Sequence, residues 1–249
     1  MTKKTIIAIG GGSLRRRETE QIDRHIINMT GSRNPRALYI PTASLDNAVY
    51  VTFFEKVYGE NGCKVDVLLL FKERYSPAQI EEKIMSSDLV YIGGGNTLFL
   101  YNMLRFYKAD EVLKRAWEGG TVMSGLSAGC IIWHEHGLTD SIHKKLVDMG
   151  GLAWLPRFVT PHYLREPKRR AIFQEIIAAR GYEGLAIDDN CAVVYEGSSI
   201  KDVISLGEGY GARIMRVEKG EITAIDLDKT LLEHRVEPLR MRLKQKIAR

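Results

Sequence analysis

The segment Gly-Leu-Ser-Ala-Gly at residues 125–129 is the part of this sequence best suited to nucleophilic chemistry. A short apolar run precedes it and a helical pattern at residues 128–133 follows it, so the sequence predicts a strand, a sharp turn at Ser127 and a helix. Glycine on either side lets the backbone bend and lets a substrate approach the hydroxyl closely. The N–H of Ala128 would then face the oxyanion that forms when a serine attacks a carbonyl. We therefore predict that Ser127 is a nucleophile.

A second glycine-rich segment, Gly-Gly-Gly-Asn-Thr at residues 93–97, lies between another predicted strand and helix. Because glycine leaves the backbone N–H groups accessible, we predict that Gly94 and Gly95 complete an oxyanion hole with Ala128. Glycine-rich turns also bind phosphate groups. This segment lacks both the Gly-Lys-Ser/Thr ending of a P-loop and the Gly-x-Gly-x-x-Gly spacing of a dinucleotide site, which disfavours a nucleotide.

His162 is the histidine best placed to act as a base. Residues 158–160 are typical of a strand that Pro161 ends, so the imidazole is expected at the same edge of the sheet as Ser127. An imidazole with a pKa near neutrality can accept the serine proton and return it to a leaving amine. The other histidines are expected on a surface helix, in polar segments or in the tail: His25, His134, His136, His143 and His234.

The acid that would orient His162 has three candidates in the sequence. Asp188 and Asp189 directly follow a short apolar run at residues 184–187, and a strand end is a rigid support, so we predict Asp189, with Asp188 as an alternative. Asp140 lies in a polar segment between the predicted nucleophile and base. Choosing Asp140 would give the chain order Ser, Asp, His that α/β-hydrolases have.

The elements that must position these residues alternate through the first two thirds of the chain. Short β-branched runs predict strands at residues 5–9, 37–40, 65–70, 89–92 and 121–123. Amphipathic patterns predict helices at residues 18–29, 47–58 and 96–106. This alternation predicts an α/β fold with a mostly parallel sheet that is covered by helices on both faces. The loops at the carboxyl ends of the strands would form the ligand crevice.

The C-terminal part of the sequence has a different pattern. Two alternating runs flank Lys219-Gly220 and predict an antiparallel hairpin over residues 212–227, at the edge of the sheet or as an appended ribbon. We predict one domain over residues 1–249, because there is no Pro-, Gly- or Ser-rich linker and no repeat. Basic residues alternate with apolar ones at 235–249 without a clear helical face, which indicates a solvated basic tail.

Composition and patterning argue against several classes of partner. The formal net charge is +5, but the cations do not cluster among aromatic residues, so we expect no nucleic acid. The sequence has no apolar run of the ~20 residues that cross a bilayer and no secretory signal, so we expect a cytoplasmic protein without a membrane partner. Three distant cysteines, and a His134–Glu135–His136 segment predicted as a surface turn, lack metal-ligand spacing. The sequence does not fix the oligomeric state, and a homodimer is compatible with it.

Four segments together form a specific combination of motifs. They are Tyr-Ile-Gly-Gly-Gly-Asn-Thr at 91–97, Ser-Gly-Leu-Ser-Ala-Gly at 124–129, Pro-His-Tyr at 161–163 and Gly-Leu-Ala-Ile-Asp-Asp at 184–189. This combination resembles the dipeptidase E and cyanophycinase family of serine peptidases, family S51. The resemblance implies a flavodoxin-like sheet related to class I glutamine amidotransferases, with serine in place of their cysteine and no cofactor. It also implies Ser127 as nucleophile, His162 as base and an acid at or next to Asp189.

The resemblance further implies a small peptide substrate. Members of the family favour dipeptides with N-terminal aspartate or, as cyanophycinases, a β-aspartyl-arginine polymer. An acidic side chain would need cations near the crevice, and Arg165 and Arg170 follow the predicted base. We predict these two residues and Asn96 as substrate contacts. A non-catalytic binder of small molecules on the same scaffold is the alternative.

Overall fold

The computed structural model describes residues 3–228 and a short strand at residues 230–231. The predicted basic tail at residues 235–249 lies outside the described residues. The strands, in chain order, are β1 (Thr5–Ile9), β2 (Arg36–Ile40), β3 (Lys64–Val67), β4 (Leu89–Ile92), β5 (Val122–Leu126), β6 (His134–Ile142), β7 (Lys145–Gly150), β8 (Leu155–Thr160), β9 (Gly184–Ile187), β10 (Cys191–Glu196), β11 (Ser199–Ser205), β12 (Ala212–Glu218), β13 (Glu221–Asp226) and β14 (Thr230–Leu231). The helices are α1 (Glu20–Met29), α2 (Ala48–Glu60), α3 (Pro77–Met85), α4 (Thr97–Phe106), α5 (Ala109–Gly119), α6 (Ala128–Ile131) and α7 (Pro167–Arg180), with a 3-10 turn at Thr42–Ser44.

Eight strands form the first sheet, in the order β14-β11-β10-β1-β5-β4-β2-β3. Neighbours from β1 to β3 are parallel, and β10 is antiparallel to β1 and to β11. Successive residues of β1 face opposite sides, so Ile6 and Ala8 join one buried cluster while Ile7 and Ile9 join another. Helices α1 and α2 pack into the second cluster, and α3, α4 and α5 pack into the first. The prediction of an α/β fold with helices on both faces is confirmed.

A second sheet of six strands has the order β13-β12-β9-β8-β6-β7. Its central pairs, β6 with β8 and β8 with β9, are parallel, and the outer pairs are antiparallel. The predicted hairpin at 212–227 is present as β12 and β13, and it forms one edge of this second sheet. The chain passes from the second sheet back to the first at residues 188–190, between β9 and β10. The assignment of the whole chain to one domain stays a prediction.

Several local predictions were wrong around residues 65–70 and 134–143. The third strand ends at Val67, before the predicted end. The segment with His134 and His136 is not a surface turn but the start of β6. His134 is fully buried, with Nδ1 2.9 Å from the Cys130 carbonyl and Nε2 3.1 Å from the Tyr195 hydroxyl, and burial lowers its pKa to about 4.

Two general observations concern the described part of the chain. No helix there has the length and apolar composition needed to cross a bilayer. Its histidine, cysteine and acidic side chains form no group of three or more with the arrangement of a metal site.

Candidate active site

Ser127 lies in the turn between β5 and α6, at the carboxyl edge of the first sheet. Its backbone has φ 55° and ψ −104°, a conformation that non-glycine residues rarely adopt. The glycines around it permit this turn, because a Cβ at Gly125 would overlap the Gly129 carbonyl and a Cβ at Gly129 would overlap the Ile92 carbonyl. Strain of this kind persists where the surroundings over-determine it and is concentrated at functional sites.

The imidazole of His162 connects the nucleophile to a carboxylate. His162 follows β8 of the second sheet, and its Nε2 is 2.8 Å from Ser127 Oγ. Its Nδ1 is 2.5 Å from Asp189 Oδ1. The structure therefore brings Ser127, His162 and Asp189 together in one hydrogen-bonded series, with the histidine in the middle.

Asp188 and Asp189 are adjacent in the chain but have different partners. The carboxylate of Asp188 is buried and accepts from the N–H groups of Leu164 and Gly211 and from Arg213 at 3.1 Å. Asp188 is thus held among structural donors and does not contact His162, unlike Asp189. The side chain of Asp140, the other alternative, is exposed on β6 and makes no hydrogen bond to His162.

The pKa values of the two adjacent carboxyls are shifted in opposite directions. Burial by itself raises the pKa of Asp189, but the hydrogen bond from His162 and the charge of Arg165 outweigh burial, and the net pKa is lowered. For Asp188, burial is the dominant influence and raises the pKa even though Arg213 opposes it. The surroundings of Asp189 accordingly favour its ionised form next to His162, where it can fix the tautomer of the imidazole.

The end of β1 and the two glycines after it contact Ser127, His162 and the residue after Asp189 through the main chain. The carbonyl of Ile9 accepts from the N–H of Ser127 at 3.1 Å, and the carbonyl of Gly10 accepts from the N–H of His162 at 3.2 Å. The carbonyl of Gly11 accepts from the N–H of Asn190, the residue after Asp189, at 3.0 Å. Three successive carbonyls therefore set the spacing of three residues that are far apart in the sequence.

Gly11 also lies against the side chains of the series. A Cβ at this position would overlap the Asp189 carboxylate and come within 2.5 Å of His162 Nδ1. In the sequence, Gly11 belongs to the glycine run at residues 10–12 after the first strand. The run alone does not show that Gly11 positions His162. The absence of a side chain at Gly11 is what lets His162 and Asp189 meet.

Three backbone N–H groups are available next to Ser127. Those of Gly94, Gly95 and Ala128 make no hydrogen bond within the part of the chain that the structure describes. Gly94 is close to the nucleophile, because a Cβ on it would lie 3.3 Å from the Ser127 Cβ. The loop is held in place by the 3-10 turn, since the Asn96 N–H donates to the Ala43 carbonyl at 2.7 Å. These donors can stabilise an oxyanion on a carbonyl that Ser127 attacks.

The predicted substrate contacts have different surroundings. The Asn96 side chain caps α4 by accepting from the Phe99 N–H at 2.8 Å. Arg165 is 64% exposed, and one of its guanidinium nitrogens is 3.3 Å from Asp189 Oδ2. Arg170 is half-buried in the first turn of α7 and makes no ion pair with the described residues. Of these three residues, the structure brings only Arg165 into direct contact with the series.

A cavity of about 340 Å³ adjoins the nucleophile turn. It is bordered by Gly94 and Leu126, the residue before Ser127, and by the loop after β1. Three tyrosines line it, namely Tyr39, Tyr50 and Tyr91. The sequence does not show that these tyrosines lie together, because they come from three elements whose proximity is set by the order of strands in the sheet.

The sequence and the fold of this chain are similar to those of known proteins. The family model of peptidase family S51 matches residues 6–203. The chain belongs to peptidase family S51. Among curated S51-like relatives, it is 32% identical to an uncharacterized peptidase, YgaJ, of Bacillus subtilis, over 90% of this chain and 97% of that protein. It is 25% identical to a cyanophycinase of Nostoc, over 94% of this chain and 77% of that protein.

Solved structures agree on the fold of this S51 member. A putative peptidase E protein from Listeria monocytogenes matches with a TM-score of 0.63 and 22% identity, over 83% of this chain and 100% of that chain. A peptidase from an acI-B1 actinobacterium matches with a TM-score of 0.69 and 17% identity, over 90% of this chain and 94% of that chain. The family membership makes the protein a serine peptidase.

Proposed function

We propose that the protein hydrolyses small peptides with N-terminal aspartate through an acyl-enzyme on Ser127. The observation that carries the catalytic part is the series in which His162 Nε2 lies 2.8 Å from Ser127 Oγ while Nδ1 lies 2.5 Å from Asp189. Those distances are in the range where a base can remove the proton of the group that it activates. In this proposal Ser127 is the nucleophile, His162 the general base and Asp189 the acid that orients it.

The two half-reactions follow from that geometry. Ser127 Oγ attacks the scissile carbonyl while its proton moves to His162 Nε2, and the N–H groups of Gly94, Gly95 and Ala128 stabilise the oxyanion. The imidazolium then gives its proton to the leaving amine, and an ester remains on Ser127. Water attacks this ester as it gives a proton to His162, and the imidazolium returns that proton to Ser127 Oγ as the acid product leaves.

Preference for aspartate is supported by the cation beside the site. Arg165 uses one nitrogen for Asp189, and its exposed guanidinium has further donors for a substrate carboxylate. The names of three relatives point in the same direction, since one solved structure is called a putative peptidase E and two curated relatives are called cyanophycinases. The cyanophycinase names favour cleavage after β-linked aspartate as the second candidate.

The experiment is a comparison of peptide hydrolysis by the wild type and Ser127→Ala. The substrates are Asp-Leu, Asn-Leu, Gly-Leu, Leu-Leu and β-Asp-Arg, with release of the free amino acids as the measured quantity. We expect turnover of Asp-Leu well above that of Asn-Leu, and a loss of about 10⁴-fold or more in kcat for the variant, since no other group replaces the hydroxyl. The thermal stability of the variant should stay close to that of the wild type, which separates loss of chemistry from loss of fold.

Other outcomes would redirect the proposal. Hydrolysis of β-Asp-Arg in preference to Asp-Leu would establish the β-aspartyl candidate. Activity that persists in Ser127→Ala would refute the acyl-enzyme. A protein that is stabilised by these peptides but turns over none of them would be a binder on a peptidase scaffold, and would overturn the catalytic proposal.

A further inference from the structure

Three successive arginines, Arg15, Arg16 and Arg17, follow the glycine loop after β1, and they differ in their partners. Arg16 pairs with Glu18 at 2.7 Å, and Arg17 pairs with Glu20 and with Glu60. Arg15 has no carboxylate partner among the residues that the structure describes. Its guanidinium carbon lies 5.8 Å from the centre of the Phe53 ring, and its side chain borders the cavity beside Ser127. Arg15 is thus a cation beside the cavity whose charge is not neutralised by any of the residues that the structure describes.

The walls of this cavity are suited to a large side chain. The lining includes Tyr39, Tyr50 and Tyr91 together with Leu14 and Leu126, and it exposes more apolar than polar surface. The hydroxyl of Tyr91 is buried and has no hydrogen-bond partner among the described residues. The volume of the cavity, about 340 Å³, is at the lower end of the range for small-molecule sites, and it matches one residue of a small peptide.

The position of the cavity relative to His162 indicates which part of a peptide it would receive. The imidazole must donate its proton to the leaving amine, so the leaving residue lies on the histidine side of the scissile bond. One wall of the cavity is the segment 12–15, which continues directly from Gly11, and Gly11 lies against His162. Gly94 and Leu126, next to the nucleophile, also border the cavity.

We propose that this cavity binds the leaving residue of the dipeptide, with an aromatic side chain among the tyrosines and its free α-carboxylate on Arg15. The proposal rests on the proposed function, because a dipeptide with aspartate on the acyl side has only one other residue to place. A free carboxylate next to the scissile bond exists only in a dipeptide. Arg15 would therefore select for substrate length, and the tyrosines would select for the second residue.

The first test concerns the carboxylate and compares Asp-Phe with its C-terminal amide. The wild type should hydrolyse the acid about ten-fold better in kcat/KM, since an ion pair with a guanidinium is lost in the amide. In Arg15→Gln this preference should disappear, through a loss on the acid alone. Arg16→Gln is the matched control, because Arg16 is paired with Glu18 and does not line the cavity.

The second test concerns the side chain and compares Asp-Phe with Asp-Ala. We expect the wild type to prefer phenylalanine by about ten-fold, as burial of an aromatic side chain is favourable. Tyr50→Ala should weaken this preference, and Val49→Ala should not. Both residues are about half exposed on α2, at 48% and 50%, but only Tyr50 lines the cavity.

Equilibrium binding of the leaving amino acid tests the same site without turnover. Phenylalanine should bind more tightly than phenylalaninamide or alanine by calorimetry, and Arg15→Gln but not Arg16→Gln should remove the difference. Equal binding of all three ligands would overturn the proposal even where Asp-Phe is hydrolysed. Conversely, selective binding of phenylalanine by a protein that hydrolyses no aspartyl peptide would refute the proposed function and retain the subsite. A loss in Arg15→Gln that is equal for the acid and the amide, but absent for Asn-Phe, would assign Arg15 to the aspartate and overturn the proposal.

Discussion

Ser127, which follows a strand of the first sheet, has φ 55° and ψ −104°, whereas His162 and Asp189 follow neighbouring parallel strands of the second sheet. In the first sheet the half-buried side chain of Ser127 is directed towards His162 by a strained turn that surrounding glycines accommodate. In the second sheet two side chains meet because β8 and β9 are paired in register, with Thr160 opposite Ala186. Ser127 is thus placed by a strained turn between a strand and a helix, whereas His162, which also has a positive φ of 58°, and Asp189 are placed at the ends of two paired strands. These two kinds of placement should respond differently to mutation.

The largest expected effect is at the second sheet, where Asp189→Asn and Asp188→Asn can be compared. Asp189→Asn should lower kcat by about 10³- to 10⁴-fold, because an amide no longer holds His162 in the tautomer that accepts the serine proton. Asp188→Asn should instead lower the free energy of unfolding by about 3 kcal/mol, since it breaks a buried pair with Arg213. Hydrolysis rates and urea unfolding measure the two quantities.

A reversal of these two results would contradict the assignment. If Asp188→Asn lost activity without losing stability, the orienting acid would be Asp188 and the distance of 2.5 Å from Asp189 to His162 would have no catalytic meaning. Asp140→Asn serves as the reference variant, because its exposed carboxylate does not contact His162. We expect it to keep both activity and stability.

The junction between the two sheets should give the next largest effect, through Gly11→Ala. The added methyl would overlap Asp189 and crowd His162, so we expect kcat/KM to fall by about 10²-fold, as displacement of a catalytic group by about 1 Å does. Gly59→Ala, in α2, has no atom within 4 Å of the added Cβ and is the control. Wild-type kcat/KM in Gly11→Ala would mean that the series tolerates movement and that β1 does not set its geometry.

Beside the first sheet, a buried carboxyl should make stability depend on pH. Asp23 on α1 is fully buried between Thr19 and Tyr58, and burial, the main cause, raises its pKa to about 7. The native state therefore binds this proton more tightly than the unfolded chain, so the contribution of Asp23 to the free energy of unfolding should fall, by at most about 4 kcal/mol, as the pH rises from about 4 to about 7. Buried His134, whose pKa is lowered to about 4, contributes the opposite slope, so the quantity to measure is the difference between variants. In urea unfolding, the free energy of unfolding of Asp23→Asn should rise relative to that of the wild type over this pH range, whereas the exposed carboxyl variant Asp140→Asn should follow the wild type. A difference between Asp23→Asn and the wild type that does not change with pH would contradict the assignment.

The sequence predicted the first sheet better than the second, for a physical reason. Strands β1, β2 and β4 are buried on both faces and read as continuous apolar runs, which are visible locally. Strands β6 and β7 carry several exposed or half-buried polar residues, and their segment was interpreted as a polar loop. Buried His134 contacts Tyr195, which is 61 residues away, and no local sequence pattern predicts such a contact.

The same distinction applies to the site. The strand, turn and helix around Ser127 and the strand ends before His162 and Asp189 are local features, so these three residues were identified before their distances were known. The rigidity of a strand end favours Asp189 over Asp140 in its polar segment, and the structure separates Asp189 from Asp188 through Arg213 and Gly211, which come from a later part of the chain. The ion pair of Arg17 with Glu60 likewise depends on a tertiary contact, because Glu60 is on α2.

The three carbonyls at the end of β1 have a consequence for how the protein is made. Ile9 pairs with Leu126 in β5 and with Ala192 in β10. Strand β1 therefore cannot complete its pairing until β10 has been synthesised. Contacts of such large sequence separation form late in folding. Proteolytic activity should therefore appear only after most of the chain has been synthesised, and a nascent chain that has exposed Ser127 does not yet have a working peptidase.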